Sequence, residues 1–191
     1  MSEYESHEYD VVVIGAGGAG LRAAIESARS GAKTAIICKS LLGKAHTVMA
    51  EGGAAAALGN ADDRDGWKTH FKDTMKGGKY LNNWRMAQIH AQESADRVRE
   101  LEQWGAVFDR TPSGLINQRN FGGHTYPRLA HVGDSTGLEI IRTLQEKGIH
   151  SGIDIFMEYT VSHLLQDKDG TCTGCVAYNR VDGAMHAYSA K

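Results

Sequence analysis

The sequence predicts an α/β fold: a parallel sheet with helices, followed by an antiparallel β-meander. Three observations predict it. Residues 9–14 form an apolar run that leads directly into Gly15-Ala16-Gly17-Gly18-Ala19-Gly20, and Ala24 and Gly31 complete a GxGxxGxxxAxxxxxxG spacing. A second apolar run, residues 34–38, follows one helix length later. From Ile153 the apolar period changes to two, with Asp167-Lys168-Asp169-Gly170 and Val181-Asp182-Gly183 as turn signals between runs.

The glycine spacing is that of a Rossmann-like dinucleotide-binding unit. Gly15 lets the chain turn off the strand, and Gly17 offers backbone to a pyrophosphate with no Cβ in the way. Gly20 and Ala24 let the next helix, residues 18–30, approach the sheet, with its N-terminal N–H groups facing the phosphates. The strand at 34–38 ends in Cys38-Lys39-Ser40 rather than in Asp or Glu. The usual ribose-binding acid is missing, which counts against a plain NAD dehydrogenase.

Further along, Ala54-Ala55-Ala56-Ala57 reads as a close-packed helix start. Trp67, Phe71 and Met75 recur every four residues before Gly77, so a short helix with a core-facing stripe is predicted. A longer helix follows Asn82-Asn83 and buries Val98, Leu101 and Trp104, with Glu93, Asp96, Arg97 and Glu100 on a solvated face. Another begins near Thr136, with Glu139 as capping-box partner and Leu138, Ile141 and Leu144 turned inward, and stops at Gly148. The meander strands are expected at 153–158, 160–166, 173–178 and 185–189.

The chain has 191 residues, 41% hydrophobic and 23% charged, enough for a good-sized core. A formal net charge of -2 gives no footprint for nucleic acid. No apolar run approaches the ~20 residues of a transmembrane helix, and Met1-Ser2-Glu3-Tyr4-Glu5 is acidic rather than signal-like. Cys172-x-x-Cys175 lies on a strand pattern, where residues three apart face opposite sides, and no second ligand pair accompanies it. No metal site is read from the sequence.

The segment Lys39 to Gly53, with His46-Thr47-Val48-Met49-Ala50-Glu51-Gly52-Gly53 at its centre, resembles the flavoprotein subunit of the succinate dehydrogenase and fumarate reductase family. The resemblance continues through Asp73-Thr74, Gly77-Gly78, Leu101-Glu102-Gln103-Trp104-Gly105, Gln118-Arg119-Asn120-Phe121-Gly122-Gly123 and Asp134-Ser135-Thr136-Gly137. It implies a Rossmann-like FAD-binding domain over 1–191, divided into a Rossmann unit (8–60), a helical insert (61–150) and a β-meander (151–191). The rest of that domain and a capping domain are expected beyond Lys191. FAD is implied to lie against Gly15, Ala16, Gly17, Gly18, Ala19 and Gly20, then Cys38, Lys39, Ser40, Lys44 and Ala45. His46, Thr47, Met49, Ala50, Glu51, Gly52 and Gly53 complete the cofactor set, with His46 as the point of covalent attachment.

Phe121 and Glu51 are implied on the side of a dicarboxylate, succinate or fumarate. No residue of this portion is assigned as catalytic, and His124 and His131 read as structural or peripheral. Glu51, where many succinate dehydrogenases carry Gln, resembles quinol-linked fumarate reductases. The implied partners are an iron–sulfur subunit, membrane anchor subunits and, indirectly, quinone, with the chain peripheral on the cytoplasmic face of a bacterial inner membrane. L-Aspartate oxidase, a soluble fumarate reductase and a non-catalytic FAD-binding fragment stand as alternatives.

Overall fold

A computed structural model of the chain describes residues 4–191; Met1, Ser2 and Glu3, part of the acidic N-terminus read above, lie outside it. The chain divides into two compact units, one running up to Thr47 and resuming over Leu144–Lys191, the other Val48–Thr143.

The first unit is built on β1 (Glu5–Glu8), β2 (Val11–Ile14), α1 (Gly18–Arg29) and β3 (Thr34–Cys38), and later on β7 (Asp154–Met157), β8 (Tyr159–Gln166), β9 (Cys172–Asn179) and β10 (Met185–Ser189). Strands β2, β3 and β7 pair in parallel in the order β2-β3-β7. Thr34-Ala35-Ile36-Ile37-Cys38 is buried throughout, as a central parallel strand covered on both faces must be. Helix α1 turns Leu21, Ala24 and Ile25 inward at helical spacing. The run at 153–158 is therefore not part of the meander: its central residues join the parallel sheet, with Ile36 level with Ile155.

The meander itself is β8-β9-β10, antiparallel, with β1 added in parallel at the edge of β10. Both turn signals form turns: the Asp167 carboxylate accepts from the N–H groups of Asp169 and Thr171, and Asn179 N–H donates to the Ala184 carbonyl. One buried cluster joins the sheets, with Tyr9, Ala35, Ile37, Cys175, Ala177 and Tyr188 at its centre. A bulge in β9 sets Cys172 level with Gln166 and Cys175 level with Leu164, so the two cysteines share a face of the strand instead of facing opposite sides as simple alternation predicts. Cys172 is exposed and Cys175 buried, and burial pushes the Cys175 thiol up to about 11.

The second unit holds β4 (Ala54–Ala55), α2 (Trp67–Gly77), α3 (Trp84–Gln103), β5 (Gln118–Arg119) and β6 (Leu129–Ala130); α4 (Thr136–Ile149) begins in it and ends in the first unit. The strands pair in the order β4-β6-β5. Ala54 and Ala55 are thus strand residues rather than a helix start. Asn83 caps α3, accepting from the N–H groups of Arg85 and Met86. Ala87, Ala91, Ser94 and Val98 form its buried face, while Leu101 and Trp104 are half-buried.

Three further expectations are corrected. Trp67 is 37% exposed and the buried residue of α2 is His70, one position off the aromatic stripe. Leu138 is exposed, and Glu139 makes no capping box: its carboxylate accepts from the Val107 N–H at 2.7 Å and binds Arg142. Ile141 and Leu144 are buried as expected.

Candidate functional site

The glycine loop sits where β2 ends. Gly15 has φ +105°, open to glycine and costly to other residues, and its N–H donates to the Ile37 carbonyl at 2.8 Å. A Cβ on Gly20 would stand 1.9 Å from the Gly15 carbonyl oxygen, so helix and turn touch through bare backbone. Gly17, which has no side chain of its own to cap with, is the N-cap of α1, and no acid lies in the first turn, so no charge of the helix itself neutralises its positive end.

A cavity of about 340 Å³ opens at this point. Gly15, Ala16 and Gly17 form one wall, Cys38, Lys39, Ser40 and Leu41 from the end of β3 another, and Lys44, Ala45 and Arg180 complete it. Among the described residues the lining carries three cations and no carboxylate. Bare backbone, a helix N-terminus and three cations suit a pyrophosphate, so the residues present fit FAD. Eight residues proposed from the sequence meet in this one cavity. Gly18, Ala19 and Gly20 belong to the helix start instead.

Arg180 was not anticipated from the sequence. It lies beyond β9 in a segment with no motif, yet its guanidinium donates to the Lys39 carbonyl at 2.7 Å and its N–H to the Glu158 carbonyl. Strand pairing, not spacing, brings it there.

His46 opens a 3-10 turn, His46–Met49, and is exposed. Its neighbours are held on both sides: the Ala45 N–H donates to the Gly43 carbonyl at 2.8 Å, and the Thr47 hydroxyl accepts from the Gly18 N–H at 3.1 Å. Thr47 therefore ties the turn to the start of α1.

In the second unit, Met49, Ala50 and Glu51 are exposed and Gly52 and Gly53 half-buried. The Ala50 carbonyl accepts from the Gly137 N–H. A Cβ on Gly53 would meet the Ala130 carbonyl at 2.8 Å, and one on Gly52 the Phe121 ring at 3.4 Å. Phe121, itself 58% exposed, thus lies beside the Glu51–Gly52 segment.

Arg119, also missed from the sequence as a working residue, fixes that segment. Its Nη2 donates to the Glu51 carbonyl at 2.7 Å, its Nε to the Gly52 carbonyl at 2.9 Å, and its Nη1 pairs with Asp134. Planar Arg holds two adjacent carbonyls where Lys would reach one. Arg119→Ala is expected to cost about 1–2 kcal/mol and to loosen residues 51–53. Faster hydrogen exchange confined to those amides is the measurement, and unchanged protection would count against the clamp.

Deeper in this unit, fully buried Arg128 places Nη2 2.9 Å from Asp65 and 3.0 Å from Asp73. The Thr125 hydroxyl and N–H both donate to Asp73. His70 and His124 are near this group, their rings 6.2 Å apart. Burial, reinforced by the Arg128 charge, drives the His70 ring down to about 4 and also lowers His124. His131 stands 2.8 Å from the Asp109 carboxylate.

The buried His70 has a consequence for pH. The unfolded ring takes a proton near 6.5, the folded one only near 4, so its contribution is fully present above pH 6.5 and is lost as pH falls towards 4. Stability is expected to drop by about 2 kcal/mol between pH 7 and pH 5 from this group. Unfolding midpoints at the two pH values measure it. His70→Leu should flatten the dependence, and an unchanged slope would assign it elsewhere.

Residues 10–191 match the FAD binding domain family. The succinate dehydrogenase flavoprotein subunit of Rickettsia conorii is 41% identical, aligned over 96% of this chain and 32% of its own length. A fumarate reductase (CoM/CoB) subunit of Methanothermobacter marburgensis is 42% identical, over 98% of this chain and 34% of its own. The solved structure of Mycobacterium smegmatis Sdh1 in complex with UQ1 superposes with a TM-score of 0.93 at 57% identity, covering 97% of this chain and 33% of that one. The chain spans about a third of the length of these relatives. A cation-rich glycine-loop cavity and a match across nearly all its residues lead to one conclusion: the chain belongs to the FAD binding domain family, as a relative of the flavoprotein subunits of succinate dehydrogenase and fumarate reductase.

Proposed function

We propose that the chain is the FAD-holding portion of a succinate dehydrogenase flavoprotein subunit, oxidising succinate to fumarate in the complete protein. The observation that carries the reading is the cavity of Gly15–Gly17, Lys39, Lys44 and Arg180, followed directly in sequence by the His46 turn. When bound, FAD supplies the two-electron acceptor. The chain's own residues hold and shape it. The α1 N-terminus and the three cations hold the pyrophosphate, and Cys38, Ser40 and Ala45 shape the walls. Gly18, Ala19 and Gly20 bring the helix N–H groups forward, and His46 tethers the cofactor covalently. Met49, Ala50, Glu51, Gly52 and Gly53 lie along the flavin, and Phe121 and Glu51 face the dicarboxylate.

In this reading residues 1–191 form one portion of a FAD-binding domain, with the Rossmann unit at 8–60, the helical insert at 61–150 and the meander at 151–191. The proton transfer of the reaction is assigned to none of them. Electrons leave through an iron–sulfur subunit towards quinone, and anchor subunits hold the complex on the cytoplasmic face of a bacterial inner membrane. No helix among the described residues is long and apolar enough to cross a membrane, which suits attachment through partners.

The opposite direction, quinol-driven fumarate reduction, is the second reading. Its support is Glu51 together with the fumarate reductase relative at 42% identity. Steady-state rates of succinate-dependent dye reduction and of fumarate reduction, measured on the full-length flavoprotein, test both. Neither activity in flavin-replete protein would overturn the reading. Residues 1–191 expressed alone should show no succinate-dependent dye reduction above free FAD, because half a site leaves the flavin open to water.

A further inference from the structure

Strand β1 contributes a feature that flavin binding leaves unused. In its parallel register with β10, Glu5 lies level with His186 and His7 with Tyr188. Glu5 and His7 are two residues apart and share a face of β1. His7 Nε2 is 3.0 Å from His186 Nδ1, while Glu5 Oε1 is 3.6 Å from His7 Nε2 and Glu5 Oε2 is 3.6 Å from His186 Nδ1. The three ligand atoms all fall within 4.8 Å of one another.

We propose that Glu5, His7 and His186 form a binding site for a divalent transition metal ion of the zinc type, which staples the N-terminal strand to β10. Tetrahedral zinc with bonds of about 2.0–2.1 Å separates its ligands by roughly 3.4 Å, and the observed spacings bracket that value. Two imidazoles and a carboxylate are also the donor set that borderline metals prefer over magnesium or calcium.

The surroundings hold the rings in place. His7 stacks on Tyr188 with centroids 4.7 Å apart and meets Phe156 edge-on at 5.0 Å. Tyr159 meets His186 edge-on at 4.8 Å. The His186 side chain is 5% exposed and the His7 side chain 16%, while that of Glu5 is 66% exposed. The carboxylate is thus the lid through which an ion and a completing water enter. The two histidines are 179 residues apart in sequence. An ion here would close a loop around nearly the whole chain and pin β1, which leads into β2 and the glycine loop.

Zinc retention by the full-length holoprotein tests the site. The protein is stripped with chelator, its thiols blocked with N-ethylmaleimide, one equivalent of zinc added, and bound metal measured after gel filtration. Wild type should keep one zinc per chain and unfold at a higher temperature with zinc than without. His7→Gln and His186→Gln should each weaken binding by more than about tenfold. Glu5→Gln, at an exposed position that leaves folding undisturbed, should do the same. No zinc retained by wild type, or equal retention by wild type and Glu5→Gln, would overturn the proposal.

Discussion

Replacing Gly20 by alanine is expected to empty the protein of FAD and to destabilise the fold together. The added Cβ would stand 1.9 Å from the Gly15 carbonyl oxygen and 2.9 Å from its carbon, and both are backbone atoms. No side chain can move aside, so either the turn at Gly15 or the start of α1 must shift. Overpacking of this kind costs about 3 kcal/mol or more, or roughly 10 °C in the unfolding midpoint of a domain this size. The shift also pulls the helix N-terminus away from the cavity.

Gly17→Ala separates the two effects. Its Cβ would lie 3.3 Å from the Ala45 Cβ and 3.7 Å from the Thr47 hydroxyl, a tight but tolerable fit. That methyl sits on a cavity wall, so flavin retention should fall while the midpoint barely changes. Flavin absorbance per chain and thermal unfolding measure both variants. A Gly20→Ala protein with normal flavin and a normal midpoint would mean the loop takes another path.

What the sequence revealed and what it concealed follow from the distance between partners. The glycine loop, α1 and β3 were legible because their constraints are local: a turn, a close approach and a strand buried on both faces. Strands β8, β9 and β10 were legible because Asp167-to-Gly170 and Val181-to-Gly183 mark their turns. Ala54 and Ala55 carry no strand signal of their own, because only pairing with Ala130 and Leu129 makes them a strand. Period two says nothing about which sheet accepts a strand, so the run at 153–158 reads from sequence as meander, yet β3 accepts it.

The cavity residues taken from the motif did converge, but the arginines that complete the two segments were hidden. Arg180 reaches Lys39 across 141 positions, and Arg119 reaches Glu51 across 68. A lone arginine beside a turn carries no periodic signal, so only the fold discloses what its fork holds. Glu139 shows the opposite error. The spacing from Thr136 suggested a capping box, yet the Val107 N–H, 32 positions away, offered the carboxylate a partner.

On the covalent attachment and the activity proposed above, His46→Ser is expected in the full-length flavoprotein to keep FAD without a covalent bond and to damage succinate oxidation far more than fumarate reduction. The side chain at 46 is exposed, while Ala45 lines the cavity and Thr47 is bound to the Gly18 N–H. Neighbouring residues held on both sides, by the Ala45 N–H to the Gly43 carbonyl and the Thr47 hydroxyl to the Gly18 N–H, with an exposed imidazole between them, is the arrangement a tether needs. Removing the ring leaves the pyrophosphate cavity untouched, so flavin should still bind. Attachment to the imidazole raises the flavin's reduction potential, and for a two-electron couple each ~30 mV lost makes acceptance of an electron pair about tenfold less favourable. Succinate is a weak donor, so oxidation is the direction that suffers; a reduced flavin of lower potential still drives fumarate reduction. A fall of more than about tenfold in kcat for oxidation, with fumarate reduction within a few-fold of wild type, is the expected split. Acid precipitation supplies the second readout: the denatured wild-type band should fluoresce as flavin and the His46→Ser band should not. A non-fluorescent wild-type band would remove the covalent assignment while leaving the cavity intact. Equal losses in both directions would instead show that His46 positions the flavin rather than tunes it.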